Sequence, residues 1–102
     1  MRVQGNEIYS NTSRTGGGIQ VDDGVVEIVE NDIYSNVVTS TQQTCGGGIL
    51  VAGGQVTIED NDIYGNREWT GDGSDNGGGG IYLSGGDVTV RGNRVHDNVA
   101  SK

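Results

Sequence analysis

Proline and phenylalanine are absent from the 102 residues, and cysteine, tryptophan, methionine and histidine occur once each. The lone Cys45 excludes an intramolecular disulfide framework. It stands before a glycine run with no base beside it in sequence, which reads as a small structural residue and not as a nucleophile. Basic side chains are scarce: 6 Lys and Arg stand against 14 Asp and Glu, for a net charge of −8. That balance argues against nucleic acid or an anionic membrane as partner. Cationic ligands, metal ions and neutral glycans stay open. No apolar run is long enough to cross a bilayer, so membrane insertion is not expected, and no signal peptide is read in these residues. Helices are disfavoured everywhere, because glycine, present 20 times, interrupts every window long enough to hold one.

Hydrophobic residues make up only 31% of the chain. As an average, that content together with the charge would suggest disorder. The order of the residues points the other way. Three segments align without a gap, Gly16 to Asn36, Gly46 to Asn66 and Gly78 to Asn98, each 21 residues long. A partial copy, Met1 to Asn11, matches Val88 to Asn98. Every full copy reads G-G-G-I-x-[VL], a Gly-containing turn, an alternating apolar segment, then N-x-[IV]-x-x-N. The intervening lengths vary, over residues 12–15, 37–45 and 67–77. A constant unit with insertions at one point is the pattern of a solenoid whose loops leave from one corner.

Within a unit the apolar period is two, which means strands. Ile19, Ile49 and Ile81 share one position, and Val21, Val51 and Leu83 another. Val26, Val56 and Val88 (with Met1) and Ile28, Ile58 and Val90 (with Val3) form a second strand's columns. Ile8, Ile33, Ile63 and Val95 form a third. Columns one strand spacing apart, about 4.8 Å, let β-branched residues bury one another, which builds a core from a low-apolar chain. Two asparagine columns recur as well: Asn6, Asn31, Asn61 and Asn93, then Asn11, Asn36, Asn66 and Asn98. Asparagine tolerates left-handed backbone, so these positions are expected to make the tight corners while their amides bond coil to coil. The sequon at Asn11 falls inside such a ladder and is discounted as a glycosylation signal. The glycine triplets lack the Lys-[Ser/Thr] of a phosphate-binding loop, and turn geometry is expected to account for them.

The stretch G-G-G-I-Y-L-S-G-G-D-V-T-V-R-G-N-R-V-H-D-N resembles the repeats of bacterial right-handed parallel β-helix proteins of the pectate-lyase-like superfamily. It is most similar to the Gly-rich type found in secreted and surface-anchored proteins. The resemblance covers nearly the whole chain. It implies an all-β fold: one right-handed parallel β-helix of about three and a half coils over residues 1–102, expected to be a section of a longer solenoid. It also implies an extracellular or cell-surface location. Function is not implied, because that group holds polysaccharide lyases, hydrolases, epimerases, adhesins and scaffolds alike.

Three outward features are candidates for function. The first is an acidic corner, with Glu7, Asp32 and Asp62 in one column and Glu30 and Asp60 two positions earlier. Stacked carboxylates repel and favour a bound cation or a proton. Arg94 closes the first column and is placed to pair with Asp62. Lyases of this superfamily hold calcium on exterior acids beside a basic Arg or Lys, and its hydrolases cluster Asp residues; neither arrangement maps residue by residue onto this chain. The bland reading is a solvated face. The second feature is Asp72-Gly73-Ser74-Asp75-Asn76-Gly77, the opening of a calcium loop with Asp72, Ser74 and Asn76 as oxygen ligands. Its twelfth position is Leu83, where a bidentate Glu would belong. The third is an exterior aromatic column of Tyr9, Tyr34 and Tyr64, continued by His96, with Trp69 in the longest insertion. Such rings stack on sugars or simply shield the sheet. His96 has no Ser, Cys or second His nearby in sequence, so neither a triad nor a zinc site is expected. Replacing tyrosine in its column, it reads as a tolerated surface position.

The expectation is a non-enzymatic structural or binding module, such as part of an adhesin, holding a polysaccharide along one face. It requires no cofactor, and calcium is the one ion with a candidate loop. The first rival is a piece of a polysaccharide lyase, hydrolase or epimerase. The second is a building block that self-associates through its open coil ends, since strand edges invite pairing.

Overall fold

A computed structural model describes residues 1–14, 17–39, 45–68 and 77–100. These residues form short strands and no helix, wound as successive coils. The partial first coil carries β1 (Arg2–Gln4), β2 (Glu7–Tyr9) and β3 (Thr12–Ser13). The second carries β4 (Ile19–Val21), β5 (Val25–Val29), β6 (Asp32–Tyr34) and β7 (Val37–Val38). The third carries β8 (Cys45–Gly46), β9 (Ile49–Val51), β10 (Gln55–Glu59), β11 (Asp62–Tyr64) and β12 (Arg67–Glu68). The last carries β13 (Gly77–Gly78), β14 (Ile81–Leu83), β15 (Asp87–Arg91), β16 (Arg94–His96) and β17 (Val99–Ala100).

Every strand pairs in parallel with its counterpart one coil away. The register joins Val3, Ile28, Ile58 and Val90 in one column, and Ile8, Ile33, Ile63 and Val95 in another. The chain is thus a parallel β-helix with the facing read from the period of two. Its core is one string of branched side chains along the axis, including Val21, Ile28, Ile33, Ile49, Ile58 and Ile63. The two-residue strands β3, β7, β12 and β17 form a further column of their own. Those of β3, β7 and β12 fall where the repeat had only variable insertions, and those of β17 follow the last copy. Two residues are too few to show a period, so pattern reading misses them.

The asparagine ladders are present, with a change of role at the corners. Asn31, Asn36, Asn61 and Asn66 are buried. The backbone N–H and Nδ2 of Asn31 both donate to Oδ1 of Asn61, at 2.9 and 3.0 Å. Nδ2 of Asn31 also donates backward, to the Val3 carbonyl at 2.9 Å. Each amide is satisfied, as burial demands. The left-handed corner, however, falls on the residue before each asparagine. Glu30, Asp60, Ser10, Ser35 and Asp97 have φ between 55° and 57°, and glycine takes the equivalent sites at Gly5, Gly65 and Gly92. An asparagine that must aim both its amide and its own N–H along the axis leaves the turn to its neighbour.

The glycine triplets also differ from expectation, since the described members have no positive φ. Close approach of backbones explains them instead. A Cβ on Gly48 would lie 2.6 Å from the Gly80 carbonyl oxygen and 2.9 Å from Ile63 Cγ2. Glycine is required there for space.

Candidate functional site

The sheet of β2, β6, β11 and β16 points the central residue of each strand inward, buried at Ile33 and Ile63, and turns the two flanking it outward. The result is two parallel rows on one face. One row is Glu7, Asp32, Asp62 and Arg94; the other is Tyr9, Tyr34, Tyr64 and His96. The sequence-predicted acids and tyrosines are therefore brought together on a single surface, two residues apart on each strand.

The aromatic row is a continuous stack. Tyr9 and Tyr34 have centroids 5.0 Å apart and planes 5° from parallel, Tyr34 and Tyr64 5.1 Å and 6°, Tyr64 and His96 5.3 Å and 13°. The faces of Tyr34 and Tyr64 are thus covered by neighbouring rings. What these two offer outward is their hydroxyls and ring edges. Partial burial in the stack, helped by Glu7, raises the Tyr34 phenol above its ordinary 10.0. Partial burial, then Asp32 and Asp62, does the same for Tyr64. Both hydroxyls remain neutral donors at physiological pH.

His96 ends the row in a defined setting. Its Nδ1 lies 2.9 Å from Asp97 Oδ2 and its Nε2 lies 2.9 Å from Asp62 Oδ1. Two ring nitrogens facing two carboxylates are satisfied together only when both carry protons. The bonds to Asp97 and then Asp62 raise the imidazole above 6.5, against partial burial and nearby Arg94. His96 is therefore held between two carboxylates that favour its protonated form, and is not a merely tolerated surface residue. Asp97 escapes a reading of the sequence; its one signal is a position between the only histidine and a ladder asparagine. The expected pairing of Arg94 with Asp62 gives way to this histidine: Arg94 is the register neighbour of Asp62 but forms no ion pair among the described residues. Glu30 and Asp60 sit at corner positions with left-handed backbone. The neighbouring sheet carries its own surface pairs, Arg2 with Glu27 and Arg91 with Glu59, each at 3.1 Å.

Among the described residues no three His, Cys, Asp or Glu side chains converge on a point that could hold a metal ion. Asp72, Ser74 and Asn76 of the calcium-loop pattern, and Trp69, lie outside the described residues. Two grooves lie away from the double row. One, of about 450 Å³, is lined by Met1, Val3, Ile19, Val21 and Val26 beside the first coil. The other, of about 280 Å³, runs over Glu27, Gln55, Thr57, Asp87 and Thr89.

Parallel coils, paired asparagine ladders and a stacked outer row together define a β-helical repeat protein. The family model of the right-handed β-helix region matches residues 1–101, and the chain belongs to that family. No curated protein and no solved structure matches it.

Proposed function

We propose that the chain is a non-catalytic structural and binding module, extracellular or displayed at a cell surface, that holds an extended neutral or cationic polysaccharide along the tyrosine–carboxylate face. The observation that carries this reading is the double row itself. Phenol hydroxyls and carboxylates repeat together at one strand spacing on the outside of a single sheet. A linear polymer with regularly spaced hydroxyls meets donors and acceptors at a regular interval there, and bonds to carboxylates are among the stronger of such contacts. Contact runs through hydroxyls and edges, because ring faces are already used within the stack.

Retention of the chain on a polysaccharide panel, with calcium and again with chelator, tests the reading. The expected result is retention without new chain ends, weakened by Tyr34→Phe and Tyr64→Phe, which keep the rings and delete the hydroxyls. Retention lost on chelation would bring in Asp72, Ser74 and Asn76 as a calcium loop that supports the face. Release of shortened polysaccharide would overturn the non-catalytic reading in favour of a lyase or hydrolase, and absence of retention on every polymer would sink the binding role.

A further inference from the structure

Asparagine and aspartate share a spontaneous reaction in water. The backbone nitrogen of the following residue attacks the side-chain carbonyl carbon and closes a five-membered imide. The reaction needs that nitrogen beside the carbon, so the partners of the following N–H govern which residues react.

The ladder asparagines are guarded on this count. The N–H after each one donates to a carbonyl one coil away: Asp32 to Asn6 at 2.9 Å, Val37 to Asn11 at 2.8 Å, Asp62 to Asn31 at 2.9 Å and Arg67 to Asn36 at 2.8 Å. Asn31, Asn36, Asn61 and Asn66 are also buried, and their amides are bonded along the ladders. Attack there would first have to break coil-to-coil bonds.

The corner between β4 and β5 is arranged differently. At this corner the three copies read Asp23-Gly24, Gly53-Gly54 and Gly85-Gly86, so one of them carries a carboxyl where the others have none. Asp23 and Gly24 are exposed. The Gly24 N–H donates to Asp23 Oδ1 at 2.8 Å and has no other acceptor among the described residues. Gly24 has φ +100°, a conformation glycine adopts readily, and no atom lies within 4 Å of the place a Cβ would take. Nitrogen and carboxyl are thus already in contact, unhindered and open to solvent.

We propose that Asp23 is a modification site, where aspartate isomerises spontaneously to its β-linked form. The Gly24 nitrogen bonds to Cγ of the protonated carboxyl, and one carboxyl oxygen departs as water with the amide proton. Water then adds to the main-chain carbonyl carbon of Asp23 and breaks its bond to the Gly24 nitrogen. The chain now runs through Cγ, the α-carboxylate is free, and no reactant but water is used. The product lengthens the main chain by one carbon between Val21 and Val25. Both sides of that corner are tied to the next coil, Ala52 N–H to the Val21 carbonyl and Gln55 N–H to the Gly24 carbonyl, each at 2.8 Å. The added carbon displaces the second tie, so the chain carries a time-dependent mark at one corner while the ladders stay intact.

Incubation of the folded chain for weeks at neutral pH in ¹⁸O-labelled water tests this. Fragmentation mass spectrometry that separates β-linked from ordinary aspartate reads each site by itself, including the Asp72-Gly73 dipeptide. The expected result is label and β-linkage at Asp23, gained about tenfold faster than at any of the four buried ladder asparagines, a ratio of the size that orientation of reacting groups supplies. In urea the ladder asparagines should lose that protection and deamidate. Asp23→Glu keeps the charge but would need a six-membered ring, and should abolish label uptake at residue 23 with the strand spectrum unchanged. Asp23→Asn supplies a better leaving group, ammonia, and should reach the β-linked product sooner. Absence of label and β-linkage at Asp23 in the folded chain overturns the proposal. So does reaction of the buried ladder asparagines at an equal rate, or label uptake at residue 23 that Asp23→Glu leaves unchanged.

Discussion

Ile58 and Val90 occupy the same column, one coil apart, and share the same inward direction. Ile58 is 0% exposed and Val90 43%. The same holds for Ile63 and Val95, at 0% and 47%. Inner and outer coils thus carry equivalent residues in equivalent strands and differ only in how many neighbours cover them. In a globular domain a side chain's facing largely settles its burial. In a stack of coils facing is necessary, and a coil on each side is needed as well. The energetic weight of any column should therefore fall from the middle to the ends.

A charge in the core puts the greatest load on that gradient. Ile58→Asp should cost about 4 kcal/mol or more and leave the chain unfolded, because a carboxylate would sit with no partner in a narrow apolar interior. Val90→Asp should cost about 1 kcal/mol, since that side chain is 43% exposed. Urea unfolding of both variants decides it, and a folded Ile58→Asp chain would refute the facing of the second strand.

The ladders give the next contrast. Asn61→Ala removes the acceptor for Asn31 and the donor to the Ile28 carbonyl, leaving buried polar groups unmatched; about 3 kcal/mol is expected. Asn6→Ala removes donors on an exposed coil and should cost about 1 kcal/mol. Equal losses in thermal unfolding would mean that the ladder is not weighted by burial.

Glycines set inner against outer coil at smaller scale. Gly48→Ala drives a methyl against the Gly80 carbonyl between two coils and should cost about 2 kcal/mol. Gly5→Ala meets no atom within 4 Å and carries only the strain of φ +68°, a cost of about 1 kcal/mol. Reversal of that order would show that corner conformation outweighs coil-to-coil contact.

The smallest effect is one of pH and belongs to the last coil. Bonds to Asp97 and Asp62 raise His96 in the folded chain. A raised imidazole contributes its full stabilisation below the ordinary value near 6.5 and loses it as pH climbs through the raised value. Amide exchange in β16 should accordingly be slower at mildly acidic pH than at mildly alkaline pH, with inner strands unaffected. His96→Phe should keep the stack and abolish the pH dependence. A dependence that persists in that variant would move the effect to another group.

The columns are legible in one sequence because they repeat: three ungapped copies make Ile28, Ile58 and Val90 equivalent before any coordinate is known. The outer face is legible for the same reason, since Tyr34 and Tyr64 lie one residue beyond inward-facing isoleucines. The partners of individual side chains are not. Asp62 has a guanidinium beside it in register and an imidazole two positions further along the same strand, and periodicity ranks neither. The stack holds the ring over Tyr64, and from there Nε2 reaches Asp62. Nor can the two-residue strands be read, because they are shorter than any period.

Periodicity along the chain is enough to dictate the solenoid, its strand faces and its ladders, because a period of two within a unit and a repeat between units are one-dimensional properties. Which corner residue turns left-handed, why the glycine triplets must be glycine, and which side chain Asp62 bonds are settled only in three dimensions. Each of those depends on atoms from two coils meeting at a particular distance, and coil-to-coil distance is set only when the chain winds back onto itself.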